Sequence, residues 1–174
     1  PLGTNALWYN AQMILAQLAQ LRGNNEGQAW RQQAQQTREQ LVRVFQCDGR
    51  RGLADAVYLN PLMKDESVRL SQVLVLGLPF CVLDDPRPTG DLIEYYLATP
   101  YGPRTLSISD NRYVGDGTDV SQLPKIWSGS VDPAWFGYWC DALKRMDYSI
   151  GRDVFGPFES RLCERGIGHI SGAY

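Results

Sequence analysis

The sequence has little of what a metal site or a disulfide scaffold requires. Its 174 residues include four cysteines and one histidine. The cysteines, Cys47, Cys81, Cys140 and Cys163, stand far apart in the sequence and form no Cys-x-x-Cys pair. A structural zinc site needs about four such ligands at close spacing, so we expect neither a metal nor another cofactor. So few cysteines in a chain of this length also favour free thiols and a reducing, cytoplasmic location.

The chain also lacks an excess of positive charge and a long apolar run. Lys and Arg number 17 against 19 Asp and Glu, which gives a formal net charge of -2. Because the basic residues are scattered along the chain, we expect no nucleic-acid partner. No apolar run approaches the roughly 20 residues that cross a bilayer, so we expect no membrane contact. A hydrophobic content of 44% is sufficient for a core, and we expect one domain over residues 1–174.

Helical periodicity is the feature that the sequence does have. Apolar residues recur at spacings of three and four over residues 5–22 and 26–46, which predicts two long helices. Residues 67–83 are apolar on almost every side, which is typical of a helix buried between layers. Shorter helices are predicted over residues 91–98, 131–146 and 153–164, and no strand signal has comparable strength. Asp132, which precedes Pro133, is predicted to cap a helix start.

Residues 99–126 contain several prolines and glycines and show little periodicity, so they are predicted to form one long irregular loop. A loop of that length in a compact domain usually serves a site. Each acid in it, such as Asp110, is nevertheless predicted to be a solvated loop residue or a helix cap. The helices come in pairs separated by Gly and Pro. This arrangement predicts an all-α fold, either an α/α toroid or a half-toroid of about six helices. An irregular six-helix bundle is the alternative, and composition alone favours it.

Five segments carry a family resemblance, and they begin at Asn5, Val68, Ala98, Trp127 and Ile167. In this order they resemble segments of the amylo-α-1,6-glucosidase domain of glycogen-debranching enzymes, which are glycoside hydrolases with an (α/α)6 toroid. NALWYNA, from Asn5, resembles the family's NALWYNAL, and VRLSQVLVLGLPF, from Val68, is similar to LRPNQIFALSLPF. ATPYGPRTLS, from Ala98, is similar to LTPYGLRSLS, and WSGSVDP, from Trp127, to YHQGTVWP. IGHISGAY, from Ile167, resembles the start of the closing segment GxISEIFDG. The resemblance implies the C-terminal part of such a toroid, acting on α-1,6-glucosidic branch points of glycogen or related α-glucans without a cofactor.

Two positions depart from the family pattern where it has acids. Glycoside hydrolysis needs two carboxyl groups, and the resemblance places one in the family's ISE tripeptide and a further acid just before NALWYN. Here Gly172 follows Ile170 and Ser171, and Gly3 stands at the other position. No catalytic residue is therefore assigned. The alternatives are a non-catalytic carbohydrate-binding or assembly module on the same helices, or an unrelated helical interaction domain.

The resemblance implies a set of residues that bind α-glucan, each with a structural alternative. Trp8 would stack on a sugar face while Asn5 and Asn10 reach hydroxyls; the alternative is core packing. Gln72 is an amide in an apolar helix, which makes it either a ligand contact or a hydrogen-bonded core residue. The remaining members would line the cleft or pack around it: Tyr101, Arg104 and Trp127. A half-toroid would also expose apolar helix faces, so we expect the chain either to form a homodimer through them or to close into a smaller bundle.

Overall fold

The computed structural model of the chain describes residues 1–50, 52–60, 62–115, 128–150 and 155–160. These ranges contain six α-helices and two small antiparallel sheets. The helices are α1 Leu2–Leu21, α2 Glu26–Phe45, α3 Ser71–Gly77, α4 Arg87–Leu97, α5 Phe136–Arg145 and α6 Gly156–Glu159. The strands are β1 Ala56–Leu59, β2 Leu62–Asp65, β3 Ala98–Thr99 and β4 Gly102–Pro103.

The helices α1 and α2 form a hairpin close to the predicted bounds 5–22 and 26–46. Gly23 ends α1 with a φ of 67°, a left-handed conformation that glycine adopts without strain. Gly27 then lets the two helices approach, because a Cβ there would lie 3.0 Å from the carbonyl oxygen of Ala16. The prediction of two long helices is confirmed.

The helix predicted over residues 67–83 is wrong in length, since α3 covers only Ser71–Gly77. Leu78 is extended, with φ -67° and ψ 154°, because the ring of the following Pro79 disfavours the helical conformation of the preceding residue. At the other end, Arg69 pairs with Leu106 in an isolated bridge. The predicted burial is confirmed, because every residue from Gln72 to Gly77 is buried.

Two short hairpins correct the prediction that strands are absent. Strands β1 and β2 pair in the register Ala56↔Asp65 to Leu59↔Leu62, and β3 pairs with β4 through Ala98↔Pro103 and Thr99↔Gly102. Strands of four and two residues are too short to show an alternating pattern. The described part of the predicted loop, residues 99–115, is therefore partly ordered by pairing, while residues 116–126 lie outside the described ranges.

The later helices differ from the predictions mainly at their starts. Helix α4 begins at Arg87, earlier than the predicted residue 91, because Pro88 is tolerated in a first turn. The Asp132 side chain accepts a hydrogen bond from the Ala134 N–H at 3.0 Å and caps a short 3-10 turn before α5, as predicted. Of the helix predicted over residues 153–164, the structure describes only the part at α6.

The core lies around α3, which packs against α1, α4 and α5. Gly77 is required there, since a Cβ would overlap the Tyr138 carbonyl of α5. The fold is thus mostly helical, as predicted, with two sheets that the all-α prediction did not include. Within the described ranges, no helix is both long and apolar enough to cross a membrane.

Candidate functional site

The first two motif segments are joined by one buried side chain. Asn10, on α1, is 3% exposed. Its Nδ2 donates to the Phe80 carbonyl at 3.0 Å, and its Oδ1 accepts from the Phe80 N–H at 2.9 Å. The segment NALWYNA is thereby fixed to the Leu-Pro-Phe that ends the second segment. Since both ends of the amide are occupied, the expectation that Asn10 reaches a sugar hydroxyl is wrong.

The second, third and fourth segments are joined by backbone hydrogen bonds. The Leu70 N–H donates to the Thr105 carbonyl at 3.4 Å, next to the bridge between Arg69 and Leu106. The Thr105 N–H donates in turn to the Ser130 carbonyl at 2.8 Å, and the Gly129 N–H donates to Thr105 Oγ1 at 2.9 Å. Segments that lie far apart in the sequence therefore form one continuous region.

One of the two departures from the family pattern, Gly3, lies against the start of α3, whereas Gly172 lies outside the described residues. Gly3 is buried at the start of α1, where a Cβ would lie 3.4 Å from Ser71 Cβ and 3.2 Å from Leu74 Cδ1. The Ser71 hydroxyl is hydrogen-bonded to the Asp55 carboxylate, and the Leu2 N–H donates to the Asp55 carbonyl at 2.7 Å. A carboxylate that no motif signals thus lies beside the position where an acid was expected. We call the region formed by Gly3, Asn10, Asp55, 69–71, Phe80 and Thr105 the motif junction.

A cluster of paired charges lies next to the motif junction. Arg112 Nη1 lies 3.0 Å from Asp65 Oδ2, and its Nη2 lies 2.8 Å from Asp110 Oδ2. Arg69 Nε lies 3.6 Å from Asp55 Oδ2 and 4.0 Å from Asp65 Oδ2. The Asp110 side chain is only 12% exposed, so the prediction that it is a solvated loop acid is wrong.

These contacts fix the ionisation of two carboxyl groups. Burial raises the pKa of Asp65, but hydrogen bonds from Arg112 and Ser67 outweigh it, so the pKa falls well below its ordinary value. Hydrogen bonding from Arg112 lowers the pKa of Asp110 as well. A general acid for glycoside hydrolysis needs a raised pKa. Asp65 and Asp110 are therefore unsuited to that role.

Asn5 and Trp8 lie away from the motif junction, in a groove between α1 and α2. Successive helical residues turn by about 100°, so Asn5 and Gly3 point about 200° apart around α1. The groove has a volume of about 460 Å³. Its polar lining is supplied by Asn5, Trp8, Gln12, Gln33, Gln36, Thr37 and Gln40. We call it the amide groove. The structure therefore brings Asn5 and Trp8 together on one surface, as two neighbours on α1.

The other predicted sugar contacts lie elsewhere. Gln72 is 1% exposed, and its Nε2 donates to the carbonyls of Leu53 at 2.9 Å and Ser67 at 3.1 Å. Tyr101 lies in the turn between β3 and β4, where its ring is 6.0 Å from that of Phe158. Arg104 follows β4, and its backbone pairs with Val131. Trp127 lies outside the described residues.

Sequence reasoning did not single out Asp55, Asp65 or Gln12. The two aspartates lie in and beside a hairpin with no periodic signal, and their partners are distant in sequence. Gln12 follows the NALWYNA segment on the same helix face as Asn5 and Trp8. Helical spacing alone could have grouped those three, since they stand three and four residues apart.

Comparison with known protein families places the chain in the class of glycoside hydrolases. Within it, the family described as Amylo-alpha-1,6-glucosidase matches residues 1–162, and the chain belongs to that family. This match confirms the family resemblance of the first four segments. The fifth segment, from Ile167, lies beyond the matched range. A search of curated proteins and a search of solved structures each gave no match.

Proposed function

We propose that this chain is part of a debranching-type glycoside hydrolase, which hydrolyses α-1,6-glucosidic branch points in glycogen or related α-glucans. The observation that carries the proposal is the family match over residues 1–162. The fold supports it, because the motif segments on α1, on α3 and around Thr105 are hydrogen-bonded into one region. Motifs that act together in a site must be brought together by the fold.

The architecture we propose for the parent domain is an α/α toroid. A toroid of this type is built from helical hairpins whose inner helices are buried. The hairpin of α1 and α2 and the fully buried α3 are the features that support it.

The chemistry requires two carboxyl groups and a water molecule, with no metal or organic cofactor. Asp55 is the carboxylate to test first, because it lies beside the Gly3 position and contacts Ser71 at the start of α3. In this proposal Asn5 and Trp8 bind the glucan in the amide groove, away from Asp55. Tyr101 and Arg104 line the rim of the cleft, and Gln72 holds the hairpin beneath it.

Glucose release from a branched limit dextrin tests the proposal directly. We expect the chain to release glucose from the branched substrate and none from linear maltoheptaose. Asp55→Asn, which keeps the shape of the side chain, should abolish release if Asp55 takes part in the reaction. An absence of glucose at high protein concentration would overturn the hydrolase proposal for this chain.

A non-catalytic carbohydrate-binding module is the second candidate. The observation that favours it is that Arg112 keeps Asp65 and Asp110 ionised, together with Gly172 at the position of a family acid. Retained binding of maltoheptaose without glucose release would identify this candidate.

A homodimer through α1 is also part of the proposal. The helix contains no charged residue over its 20 positions, and it exposes Leu7, Ile14, Leu18 and Leu21. An exposed apolar stripe of this kind is typical of an interface. Size-exclusion chromatography should give the mass of a dimer, and Leu18→Glu should convert it to a monomer; a monomeric parent would contradict this.

Free thiols at Cys47, Cys81 and Cys140 support the proposal of a reducing, cytoplasmic compartment.

A further inference from the structure

The amide groove has the lining of a site for a neutral, hydroxyl-rich ligand. One wall carries Asn5, Trp8 and Gln12 from α1, and the other carries Gln36, Thr37 and Gln40 from α2. The described residues that line it include no Asp, Glu, Lys or Arg. Without a charged group, the groove offers nothing for a phosphate or a cation to pair with.

Trp8 supplies an aromatic surface at the edge of the amide groove. Its side chain is 52% exposed although it stands on a helix that packs against two others. An exposed indole offers an apolar face with one N–H donor, which suits the apolar face of a sugar ring and its hydroxyls. The groove volume of about 460 Å³ falls within the range of small-ligand sites.

Gln12 provides an independent sign of a missing partner. The residue is 2% exposed, and its Oε1 has no hydrogen-bond partner among the described residues. A buried acceptor without a partner costs about 1–3 kcal/mol and is uncommon in native proteins. Because this oxygen is buried, a hydroxyl donor in the groove would pair with it after the Gln12 amide rotates towards the groove, whereas an apolar helix from a partner protein would leave it without a partner.

We propose that the amide groove is an α-glucan-binding site separate from the motif junction, with Trp8 as the stacking platform and Gln12 and Gln36 as hydroxyl-binding amides. The choice of α-glucan as ligand rests on the proposed function; the polyhydroxyl chemistry rests on the groove itself. Because the groove and Gly3 lie on different sides of α1, a glucan bound here would hold the protein on its polymer while the reaction occurs elsewhere.

Isothermal titration calorimetry with maltoheptaose tests the proposal on the whole chain. We expect binding by the parent, at least tenfold weaker binding by Trp8→Ala, and a smaller loss in Trp8→Phe, which keeps an aromatic face. Gln36→Ala should weaken binding about fivefold, the loss of one or two neutral hydrogen bonds. Gln35→Ala is the matched control, because Gln35 is exposed, stands about 100° around α2 from Gln36 and does not line the groove; it should bind like the parent.

The outcomes separate this proposal from the proposed function. Equal affinity in the parent, Trp8→Ala and Gln36→Ala would place the glucan outside the groove and overturn the inference, while leaving the function intact. No binding of maltoheptaose by the parent would also overturn it, and glucose release from the limit dextrin would then decide the function separately.

Discussion

Helix α1 carries two buried amides of similar size on different sides, and they are used differently. Asn10 faces the segment that follows α3, where the Phe80 backbone occupies both its donor and its acceptor. Gln12 faces α2, and its Oε1 has no partner among the described residues. A polar side chain whose hydrogen bonds are satisfied inside the protein stabilises the fold, whereas an unsatisfied one lowers stability and is retained where a ligand uses it.

The same contrast holds for charge. Next to the motif junction, Asp65, Asp110 and Arg112 hold one another in an ionised network. The amide groove, by contrast, is neutral. Paired charges therefore dominate next to the motif junction and neutral amides dominate in the amide groove. This difference supports the proposal that a neutral ligand binds in the groove.

The largest effect is expected at the motif junction, from Asn10→Ala. Removing the amide leaves the Phe80 N–H and carbonyl without their partner, which should lower the free energy of unfolding by about 3 kcal/mol. Urea unfolding at neutral pH measures it. Asn5→Ala is the control, since within the described part of the chain the Asn5 side chain bonds only to the Pro1 carbonyl, four residues earlier. A loss as small as that of the control would show that Asn10 does not join the segments.

Gly3→Glu should cost about 2 kcal/mol of stability, because the new side chain enters a close-packed contact with Ser71 and Leu74. The variant restores the residue type that the family pattern has there. Thermal unfolding compared with Gly49→Glu, at a glycine whose Cβ would meet nothing within 4 Å, separates packing from charge. An unchanged melting temperature would mean that the position has room for the acid.

Arg112→Gln should lower the free energy of unfolding by about 1 kcal/mol at pH 7, since Arg112 is partly exposed and its pairs are screened by solvent. The paired Asp65 and Asp110 have lowered pKa values in the folded state. Their contribution is therefore complete above the ordinary aspartate pKa of about 3.9 and is lost as pH falls below it. Urea midpoints from pH 6 to pH 2 should fall less steeply in Arg112→Gln than in the parent. Parallel profiles would contradict the role of Arg112.

The smallest effect has the opposite sign. In Gln12→Leu, an apolar side chain of similar size takes the place of the amide whose oxygen has no partner. The free energy of unfolding should therefore rise by about 0.5 kcal/mol. Maltoheptaose binding should weaken at the same time. A variant that loses stability and keeps its affinity would show that Gln12 is an ordinary core residue.

The sequence predicted best what depends on neighbouring residues. The hairpin of α1 and α2 follows from long apolar periodicity, and the cap at Asp132 follows from the proline beside it. The length of α3 was overestimated because its apolar run continues past Gly77, while Pro79 ends the helix.

The contacts of the site could not be read from the sequence, because their partners are distant. Asn10 meets Phe80 across 70 positions, and Asp65 meets Arg112 across 47. Asp55 belongs to no motif, and only the fold places it beside Ser71 and Gly3. The groove depends on which side of α1 meets α2, which periodicity alone does not decide.

The contrast between the motif junction and the amide groove is tested most directly by NMR titration of the ¹⁵N-labelled chain with maltoheptaose. The titration is followed through the side-chain NH₂ signals of Asn and Gln and the indole N–H signal of Trp8. These signals are observed together without any mutation. We expect the signals of Trp8, Gln12 and Gln36 to shift and those of Asn10 and Gln72 to stay unchanged. Shifts at Asn10 and Gln72 with an unchanged groove would contradict this expectation.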